Sequence, residues 1–523
     1  MTDIIKIKRA LISVYDKTAL GELASALDKL GVEILSTGGT LAALKKEGVQ
    51  AVSVSMFTGA PEILGGRVKT LHPKIAAGIL SRRDNEDDVS EMTRHEYKPI
   101  DMVVVNLYPF EKTVANPNST DQDIIENIDI GGPTMIRAAA KNHAGVAVVT
   151  DPSDYEMIVK ELEENDGGLS LETRTKLAGR AFALTNRYDG AISNYFVEGR
   201  DKSVDPFPDR LVKSYTKKAK LRYGENPHQE SAFYVDDNLL GPSLAKAQIL
   251  SGKELSHNNF SDLDAALDMI LDFDEPFACI LKHANPCGAA VGATLAEAYR
   301  DALASDPLSA FGSIIGLNKP VDMDTARLIH ETRFVECILA PGYDDGVLEL
   351  MKKKKARRIL ALPEITEGRP AGEMVPKFIR GGLLHQTADD KETVASDLKA
   401  VTKRQPTDEE IKSLLFAWKV VKHTKSNAIV LVKGNATVGI GMGQTSRVDA
   451  SALAVKRAGD RAKGAVLASD AFFPMPDGVE VATDEGVTAI IQPGGSKGDD
   501  KAIEAADKAG AAMVFTGLRH FKH

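Results

Sequence analysis

The sequence contains few cysteines and no long apolar run. Three cysteines occur in 523 residues, Cys279, Cys287 and Cys337, and such an odd, sparse set builds no disulfide framework. We therefore expect a reducing, cytoplasmic location. No stretch of about 18 consecutive apolar residues is present, and the first residues, MTDIIKIKRALISVYD, lack the apolar segment of a signal peptide. Neither a membrane span nor a membrane partner is expected.

An excess of positive charge is also missing. The 65 Lys and Arg residues are outnumbered by 74 Asp and Glu residues, which gives a formal net charge of −9. Nucleic-acid binders usually carry a basic surface, so no nucleic-acid partner is expected. The basic run Lys352–Lys355, with Arg357 and Arg358, is interpreted as a solvated run beside a helix. Small anions are not excluded, because a few clustered cations make a local positive cleft.

The length suits several folding units. In the first 200 residues, strand-like runs alternate with helical patterns, which predicts βαβ units and a mostly parallel sheet. The charged segment 198–210 holds two prolines and is the best candidate for a boundary. We predict an N-terminal domain over 1–200, a linker over 201–210, and C-terminal parts over 211–370 and 371–523. Predicted elements include strands at Arg9–Val14, Val32–Leu35, Val103–Leu107 and Val146–Val149, and helices at Thr18–Leu30 and Leu171–Phe196.

The C-terminal part contains a weak internal repeat. One half has CILKHANPCGAA, a helical pattern and SDPLSAFGSIIG, and the other has SNAIVLVKGNATVGIG, a helical pattern and GAVLASDAFFP. Each half carries a Ser-Asp pair near a strand, Ser305-Asp306 and Ser469-Asp470. The pattern predicts two related α/β subdomains, although two short matches can arise by chance.

The segment Ser36–Thr40 (STGGT) lies between a predicted strand and a predicted helix. Glycines let backbone N–H groups approach an anion, and a helix N-terminus favours negative charge. Ser13 and Lys17 occupy an equivalent junction, so the two junctions together suit a phosphate group. The alternative is a plain Gly-Gly turn in which Thr40 caps the helix.

Three further segments of the first domain carry polar groups. In Gly65–Pro73 (GGRVKTLHP), Arg67 and Lys69 share one face of an extended chain, unless this is simply a solvated basic loop. Asn106–Phe110 follows an apolar strand, and ligands of open α/β sheets bind at the carboxyl ends of strands. Asp129–Pro133 opens a helix on which Arg137 and Lys141 lie on one face. Lys, Tyr and Asp brought together polarise a carbonyl and move protons.

Two dense polar segments mark the C-terminal part. Arg222, in Leu221–Gln229 (LRYGENPHQ), suits a bidentate phosphate contact or pairs with acidic neighbours. Lys282–Gly288 (KHANPCG) follows an apolar strand, and a Lys-His pair at a strand end suits acid/base chemistry. A lone His is more often structural, so the position on a loop after the strand is what favours a catalytic role.

These segments resemble a known family of bifunctional purine-biosynthesis enzymes. STGGT, GGRVKTLHP, NLYPF and IDIGGPTMIRAAAKNH resemble the IMP cyclohydrolase domain of that family, whose fold is similar to methylglyoxal synthase. RYGENPHQ, SGKELSHNNFSDLDAAL, LKHANPCGAA, SDPLSAFG, SNAI, GIGMGQTSR, SDAFFP and GLRHFKH resemble its AICAR transformylase domain. The resemblance spans essentially the whole chain in order. It implies an α/β protein with an N-terminal methylglyoxal-synthase-like parallel-sheet domain, followed by a transformylase region of two cytidine-deaminase-like α/β subdomains.

The resemblance implies two reactions. The aminoimidazole carboxamide nucleotide AICAR would accept a formyl group from the co-substrate 10-formyltetrahydrofolate, giving FAICAR, which would then close to IMP with loss of water. It also implies a homodimer and no catalytic metal, and it leaves a structural monovalent cation open.

The resemblance further implies roles for individual residues. In the first domain, phosphate and ribose would be bound by Ser13, Lys17, Thr37, Gly38, Gly39 and Thr40, and other substrate contacts would come from Arg67 and Asn106. Ring closure would depend on Lys69, Tyr108, Asp129 and Lys141. In the transformylase, His283 would be the general base, and Lys282 would stabilise the oxyanion or protonate the leaving folate nitrogen. Nucleotide and folate would contact Arg222, Tyr223, Asn259, Phe311, Gly312, Asn427, Phe472, Asp477, Arg519 and His523, with His520 the alternative to His523.

Two other functions fit parts of the sequence. A cytidine-deaminase fold suggests zinc, and His228-Gln229-Glu230 matches H-x-E, but position 290 is Ala290 where the P-C-x-x-C motif needs a second thiolate. No catalytic zinc is therefore expected. A nucleotide-sensing regulatory protein would use the phosphate site but would need neither set of catalytic residues.

Overall fold

A computed structural model of the chain describes residues 3–198, 206–237 and 239–523. By its internal contacts the chain divides into two units, Met1–Ser214 and Tyr215–His523. Residues 201–205 of the predicted linker lie outside the described residues, and the four-part division stays a prediction.

The N-terminal unit is built on a parallel sheet. Its strands, among the described residues, are β1 (Ile4–Lys6), β2 (Arg9–Val14), β3 (Glu33–Ser36), β4 (Val52–Ser53), β5 (Met102–Asn106), β6 (Ala147–Val149) and β7 (Gly168–Ser170). Five of them form an all-parallel sheet in the order β4-β3-β2-β5-β6. The chain crosses from β2 to β3 and β4 on one side and returns to β5 and β6 on the other. The order therefore reverses between β2 and β5, which is where ligands bind in open α/β sheets.

Helices cover this sheet. They are α1 (Leu20–Lys29), α2 (Gly38–Lys46), α3 (Val54–Thr58), α4 (Pro73–Leu80), α5 (Glu86–Arg94), α6 (Phe110–Ala115), α7 (Asp121–Glu126), α8 (Gly131–Lys141), α9 (Tyr155–Glu164) and α10 (Leu171–Glu198). In α1, the buried positions Leu20, Leu23, Ala24 and Leu27 recur with helical spacing and turn one apolar face to the core. The residues of β5 before Asn106 are buried, as expected for a strand covered on both faces.

The elements predicted for the first unit are confirmed with small shifts. The strand predicted at Arg9–Val14 is β2 with the same bounds. The helix predicted from Thr18 begins at Leu20, because Ala19 has a left-handed backbone with φ 54°. The long helix predicted at Leu171–Phe196 is α10.

The C-terminal unit is built on one large mixed sheet. Its strands, among the described residues, are β8 (Tyr215–Leu221), β9 (Ser231–Asp236), β10 (Gln248–Ser251), β11 (Phe277–Lys282), β12 (Asn285–Val291), β13 (Ser313–Leu317), β14 (Val335–Ala340), β15 (Arg358–Ala361), β16 (Met374–Ile379), β17 (Gly382–Thr387), β18 (Lys399–Ala400), β19 (Ile429–Lys433), β20 (Ala436–Gly441), β21 (Val466–Ser469), β22 (Ala489–Gln492) and β23 (Ala512–Phe515). Its helices are α11 (His257–Ile270), α12 (Leu295–Ser305), α13 (Met323–Glu331), α14 (Val347–Met351), α15 (Asp408–Lys422), α16 (Arg447–Ala458), α17 (Asp477–Asp484) and α18 (Asp499–Lys508).

The internal repeat is visible in the strand order. Twelve strands run β10-β15-β14-β13-β11-β12-β20-β19-β21-β22-β23-β18. Read outward from the central β12–β20 pair, both halves give two antiparallel, two parallel and one antiparallel pairing. The duplication predicted from the sequence is therefore present in the topology. The two Ser-Asp pairs are not equivalent, because Ser305-Asp306 precedes β13 whereas Ser469 ends β21.

Two glycines occupy matching positions in the halves. A Cβ on Gly288 of β12 would lie 2.0 Å from the carbonyl oxygen of Ala302 in α12, and one on Gly439 of β20 would lie 2.1 Å from that of Ala454 in α16. Each helix therefore packs directly on the backbone of its strand. Both glycines are required by this close approach, since neither backbone carbonyl can move aside cheaply.

The basic run at 352–358 is interpreted from the sequence as a solvated segment, but two of its arginines are buried. Arg357 is only 2% exposed, and its Nη2 donates to the Ile329 carbonyl at 3.1 Å, near the C-terminal end of α13. Arg358 is buried as well and pairs with Glu336 at 3.1 Å. The interpretation is wrong for these two arginines, because the tertiary structure supplies a helix C-terminus and a carboxylate as their partners.

Gly288→Ala and Gly439→Ala are each expected to destabilise the C-terminal unit by about 2 kcal/mol or more, since an added methyl overpacks a helix–strand contact. Thermal or urea unfolding measures the effect. Gly342→Ala is the control, because a Cβ there meets nothing within 4 Å. Equal stability of Gly288→Ala and Gly342→Ala would contradict the close packing.

Candidate active sites

A cavity of about 630 Å³ opens at the carboxyl ends of β2, β3 and β5. It lies where the strand order reverses. The sequence-predicted residues that line it are Ser13, Lys17, Thr37, Gly38, Gly39, Thr40, Arg67, Lys69, Asn106, Tyr108 and Asp129. The structure therefore brings together eleven of the twelve residues predicted for the first domain.

Lys141 is the exception. It is the last residue of α8, whereas Gly131 and Gly132 at the start of that helix line the cavity. Ten residues along an α-helix correspond to about 15 Å. Its side chain is exposed and does not line the cavity. The i, i+4 spacing of Arg137 and Lys141 indicates a shared face but not which end of the helix meets the substrate, so the role of Lys141 stays a prediction.

The N-terminus of α2 forms one wall of the cavity. Thr37 precedes the helix in an extended conformation, and Gly38 has a positive φ of 44°. The first backbone N–H groups of a helix have no intrahelical partner, so they are available to an anion. The Ser13 hydroxyl is 3.4 Å from that of Thr37. The Thr40 hydroxyl is buried and bonded to both the N–H and the carbonyl of Val14, at 3.0 and 2.9 Å, so it braces the junction.

Three cationic side chains line the same cavity. Lys69 crosses over Gly66, whose φ is 91° and where a Cβ would lie 2.6 Å from Lys69 Cε. Its Nζ is 3.7 Å from the Glu62 carboxylate, a loose contact for an ion pair. Arg67 forms an ion pair with Glu126, and Lys17 Nζ is 3.2 Å from the Tyr15 carbonyl. Lys69 is therefore held near the start of α2 without a tight partner.

Asn106 supports the cavity wall. Its Oδ1 accepts hydrogen bonds from the N–H groups of Tyr15 and Asp16 at 2.7 and 2.9 Å, and its Nδ2 donates to the Asp16 carbonyl at 2.9 Å. This side chain fixes the loop after β2. Consequently the rings of Tyr15 and Tyr108 meet edge to face with centroids 5.9 Å apart. Tyr15 was not among the predicted residues, since one exposed Tyr after a strand carries no signal in the sequence.

Asp129 lies at the start of α8. Its Oδ1 accepts the Gly132 N–H at 2.8 Å, and its own N–H donates to the Tyr188 hydroxyl at 2.8 Å. Gly132 has no room for a side chain, because a Cβ would lie 2.4 Å from Asp129 Oδ2. Burial raises the pKa of Asp129, and the N–H groups of Gly132 and Gly131 oppose that shift only in part. A carboxyl group with a raised pKa suits proton transfer near neutral pH.

A second group of predicted residues surrounds the turn between β11 and β12. Lys282 is the last residue of β11, and His283 and Ala284 have left-handed φ values of 54° and 56°. Non-glycine residues adopt this conformation at a cost, so it needs support. The carboxylate of Asp262 in α11 accepts the Ala284 N–H at 2.6 Å. Burial raises the pKa of Asp262, while that N–H and the nearby His283 oppose the shift.

Side chains around this turn include several predicted contacts. Lys282 Nζ donates to the Phe311 carbonyl at 2.9 Å, which joins Lys282 to Phe311-Gly312. Asn259 is buried, caps α11 with Ser256, and donates to Glu336 at 3.1 Å. The side-chain amide of Asn259 is therefore hydrogen-bonded within the protein, and Glu336 is the charged residue beside it. In the loop after β8, Arg222 stacks on its neighbour Tyr223, 4.8 Å from the ring centroid.

A cavity of about 410 Å³ in the second half contains four further predicted residues, Asn427, Phe472, Asp477 and Arg519. The turn is joined to its edge, because Asn285 Oδ1 accepts the Lys425 N–H at 3.2 Å. Arg447, a buried residue of the cavity lining, donates to Asp470 at 2.6 Å, to Ser469 at 2.7 Å and to Asn427 at 2.7 Å. Its guanidinium is therefore engaged by three protein groups.

The last residues of the chain, which we call the tail, place the candidate histidines His520 and His523 in different surroundings. His520 is 3% exposed, and its Nδ1 lies 2.6 Å from Asp389 Oδ2. His523 is exposed and meets the ring of Phe521 at 5.6 Å. His520 is therefore buried and paired with a carboxylate, whereas His523 is exposed, and the choice between them stays a prediction.

Within the described part of the chain, no group of three or more His, Cys, Asp or Glu side chains is arranged to hold a metal ion. Cys287 is buried in β12, and burial raises the pKa of its thiol to about 12. The predictions about zinc and a monovalent cation stay predictions. No described helix is long and apolar enough to cross a membrane.

Comparison with known proteins gives matches to both units. The family model described as AICARFT/IMPCHase bienzyme matches residues 139–457, and that of the MGS-like domain matches residues 19–134. A "Bifunctional purine biosynthesis protein PurH" from Rippkaea orientalis is 51% identical over 517 residues, which cover 98% of this chain and 99% of the relative. The protein of the same description from Bacillus thuringiensis subsp. konkukian is 50% identical over 516 residues, 99% of this chain and 100% of the relative. A crystal structure of ForH is 35% identical, covers 36% of this chain and 98% of its own, and has a TM-score of 0.33.

The fold and the cation-lined cavity at the switch point define an α/β enzyme with an MGS-like domain, and the predicted fold class is confirmed. The chain belongs to the AICARFT/IMPCHase bienzyme family. It is accordingly a bifunctional enzyme of purine biosynthesis, with AICAR formyltransferase and IMP cyclohydrolase activities.

Gly66→Ala is expected to reduce ring closure about a hundredfold, since the new methyl must displace Lys69 and small misplacements of catalytic groups are costly. Conversion of supplied FAICAR to IMP measures it. Gly48→Ala is the matched control, because Gly48 also has a positive φ, 79°, but a Cβ there meets nothing within 4 Å. Equal losses in both variants would mean that backbone strain, and not Lys69, explains the effect.

Proposed function

We propose that the N-terminal cavity closes the FAICAR ring. The observation that carries this proposal is that the N-terminus of α2, Lys69 and Asp129 converge on one cavity of about 630 Å³. The free N–H groups of α2, with Lys17 and Ser13, suit the phosphate, because a helix N-terminus favours an anion. The exposed faces of Tyr15 and Tyr108 suit the planar imidazole. Lys69, whose Nζ would lie 3.6 Å from a Cβ on Gly38, would reach from this side of the cavity to the formyl oxygen on which negative charge develops.

The chemistry needs no group beyond these side chains. The carboxamide nitrogen attacks the formyl carbon, and negative charge develops on the formyl oxygen. Lys69 and the Tyr108 hydroxyl stabilise that oxygen electrostatically. Asp129 takes the proton that the attacking nitrogen loses, and Tyr108 or Lys69 protonates the formyl oxygen to give a ring hydroxyl. A second proton then converts this hydroxyl to water, which leaves as a ring nitrogen gives up its remaining N–H proton and the C=N bond forms. Because the reaction is intramolecular, holding the reactive conformer supplies a large share of the acceleration.

We further propose that the turn at Lys282-His283 transfers the formyl group. His283 would accept the proton of the AICAR amine as that nitrogen attacks the formyl carbon of 10-formyltetrahydrofolate. The bond from that carbon to the folate nitrogen breaks, and Lys282 stabilises the oxyanion or supplies the proton for the leaving nitrogen. The bond from Asp262 to Ala284 supports this assignment, since it holds the strained turn that presents both side chains.

The nucleotide and folate would extend from this turn to the cavity lined by Asn427, Phe472 and Arg519. Arg519 is the cation suited to phosphate, and Phe472 offers an apolar face. The bond from Asn285 to Lys425 supports a continuous site. AICAR, FAICAR and 10-formyltetrahydrofolate are thus the proposed small-molecule partners, and no nucleic-acid partner is proposed.

We also propose a homodimer in the cytoplasm. The hairpin β16–β17 exposes apolar side chains, of which Phe378 is 73% exposed and Leu384, Ile379 and Val375 are exposed as well. Such a concentration of apolar surface on one hairpin marks an interaction surface. A second copy of the chain is the occupant that the family resemblance implies.

The two proposed sites predict separable losses. Lys69→Ala should reduce closure of supplied FAICAR about a hundredfold or more, because one oxyanion donor typically contributes that much, and should leave formyl transfer intact. His283→Ala should do the reverse. Tetrahydrofolate release and IMP formation, followed separately, measure the two steps. A folded variant that lost both activities would contradict the division into two sites.

Asp129→Asn is expected to reduce ring closure about a hundredfold, since a general acid–base group contributes at least that factor. The same variant should be more stable at neutral pH. Burial raises the pKa of Asp129, so folding favours its protonated form and the native protein loses stability as the pH rises through that pKa. Asparagine keeps the acceptor for Gly132 without the charge. Melting temperatures at acid and neutral pH test this: the gain should shrink on acidification, and a gain that did not change with pH would contradict it.

A further inference from the structure

The segment after β23 has an alternating pattern that neither activity requires by itself. Residues 517, 519, 521 and 523 are exposed, whereas Leu518, His520 and Lys522 are buried or half-buried. Alternate side chains of an extended segment point to opposite sides. On one side, Arg519 and Phe521 line the cavity of about 410 Å³. On the other side, His520 and Lys522 reach into the protein.

The inward side chains each meet a carboxylate. His520 Nδ1 is 2.6 Å from Asp389 Oδ2, and its ring packs on Trp418 at 4.8 Å. Lys522 Nζ donates to Asp268 Oδ2 in α11 at 2.8 Å. Burial would raise the pKa of Asp268, but His423, Lys522 and Arg369 together hold it below its usual range. Asp268 therefore remains ionised at neutral pH and attracts Lys522.

The backbone of the same segment is tied to the opposite wall of the cavity. The His520 N–H donates to the Asp470 carbonyl at 3.0 Å, and the Lys522 carbonyl accepts the Ser426 N–H at 2.9 Å. Ser426 and Asp470 are adjacent in sequence to Asn427 and near Phe472, which line that wall. These backbone bonds fix the path of the segment, but they do not determine which side chains turn inward.

We propose that the contacts of His520 with Asp389 and of Lys522 with Asp268 hold Arg519 toward the nucleotide, which makes Asp389 and Lys522 positioning residues for AICAR binding. The inference rests on the proposed role of Arg519 in that site. Without these two contacts, Leu518 is the inward side chain that still holds the segment, through its packing on the apolar core. The residues after it then lose their polar anchors, and the Arg519 guanidinium samples orientations that do not face the cavity. Loss of these contacts should weaken AICAR binding and leave the chemical step unchanged, because neither Asp389 nor Lys522 lies at the reacting atoms.

The test compares variants of the full-length enzyme. Asp389→Ala and Lys522→Met should each raise the KM for AICAR about tenfold, which corresponds to one lost charge-assisted contact, while kcat changes little. Asp389→Asn should restore most of the affinity, since its Oδ1 still accepts from His520. Closure of supplied FAICAR should be unchanged in all three, and the unchanged kcat for formyl transfer verifies that the C-terminal unit is folded.

Asp390→Ala is the matched control, because it removes an exposed neighbouring carboxylate. Trp418 is the one tryptophan in the sequence, so its emission reports on His520: it should change in Asp389→Ala and not in Asp390→Ala. If Arg519→Ala raises the KM and Asp389→Ala and Lys522→Met do not, the inference is wrong and the proposed site stands. If Arg519→Ala leaves the KM unchanged, the proposed nucleotide role of Arg519 fails, and the inference fails with it.

Discussion

The apolar strands β5 and β11 are buried along their length and reach solvent only where they end. The polar residues of the N-terminal cavity and of the turn after β11 lie at such strand ends. In the N-terminal unit, β2, β3 and β5 are parallel neighbours, so their carboxyl ends share one edge of the sheet. In the C-terminal unit, Lys282 ends β11 in one half and Ser469 ends β21 in the other. The buried part of each strand holds the backbone in place, and the residues at its end remain accessible to a charged ligand.

Two of the cations that line the N-terminal cavity lie beside carboxylates. Arg67 is matched by Glu126, and Lys69 stands 3.7 Å from Glu62. Exposed pairs of this kind contribute little to stability, about 1 kcal/mol or less. An incoming phosphate or oxyanion can therefore exchange with these carboxylates at small cost. This arrangement explains how a chain with net charge −9 keeps a cavity suited to anions.

The Arg447–Asp470 pair differs from these exposed pairs, because it is buried and its loss is costly for stability. Asp470 is fully buried, and Arg447 also bonds Ser469 and Asn427. Removing one member of such a pair leaves a buried charge and typically costs about 3 to 5 kcal/mol. Because the Asp470 carbonyl also accepts the His520 N–H, this pair connects β21, the segment at Asn427 and the tail. The cavity walls are thus rigid for an electrostatic reason.

Local patterns in the sequence determined the strands, the helices and the residues of the motifs, because apolar periodicity and glycine-containing junctions are short-range properties. They also predicted eleven residues that the structure brings together around one cavity, since parallel strands end together, and the roles of these residues stay predictions. They failed for Arg357 and Arg358, whose partners Ile329 and Glu336 are distant in the chain, and the role of Lys141 stays a prediction. Only the tertiary structure decided which end of α8 faces the cavity, which arginines are buried, and that Asp262, Asp389 and Asp268 support the functional segments. Those contacts join positions 22 to 254 residues apart, and no local pattern encodes such distances.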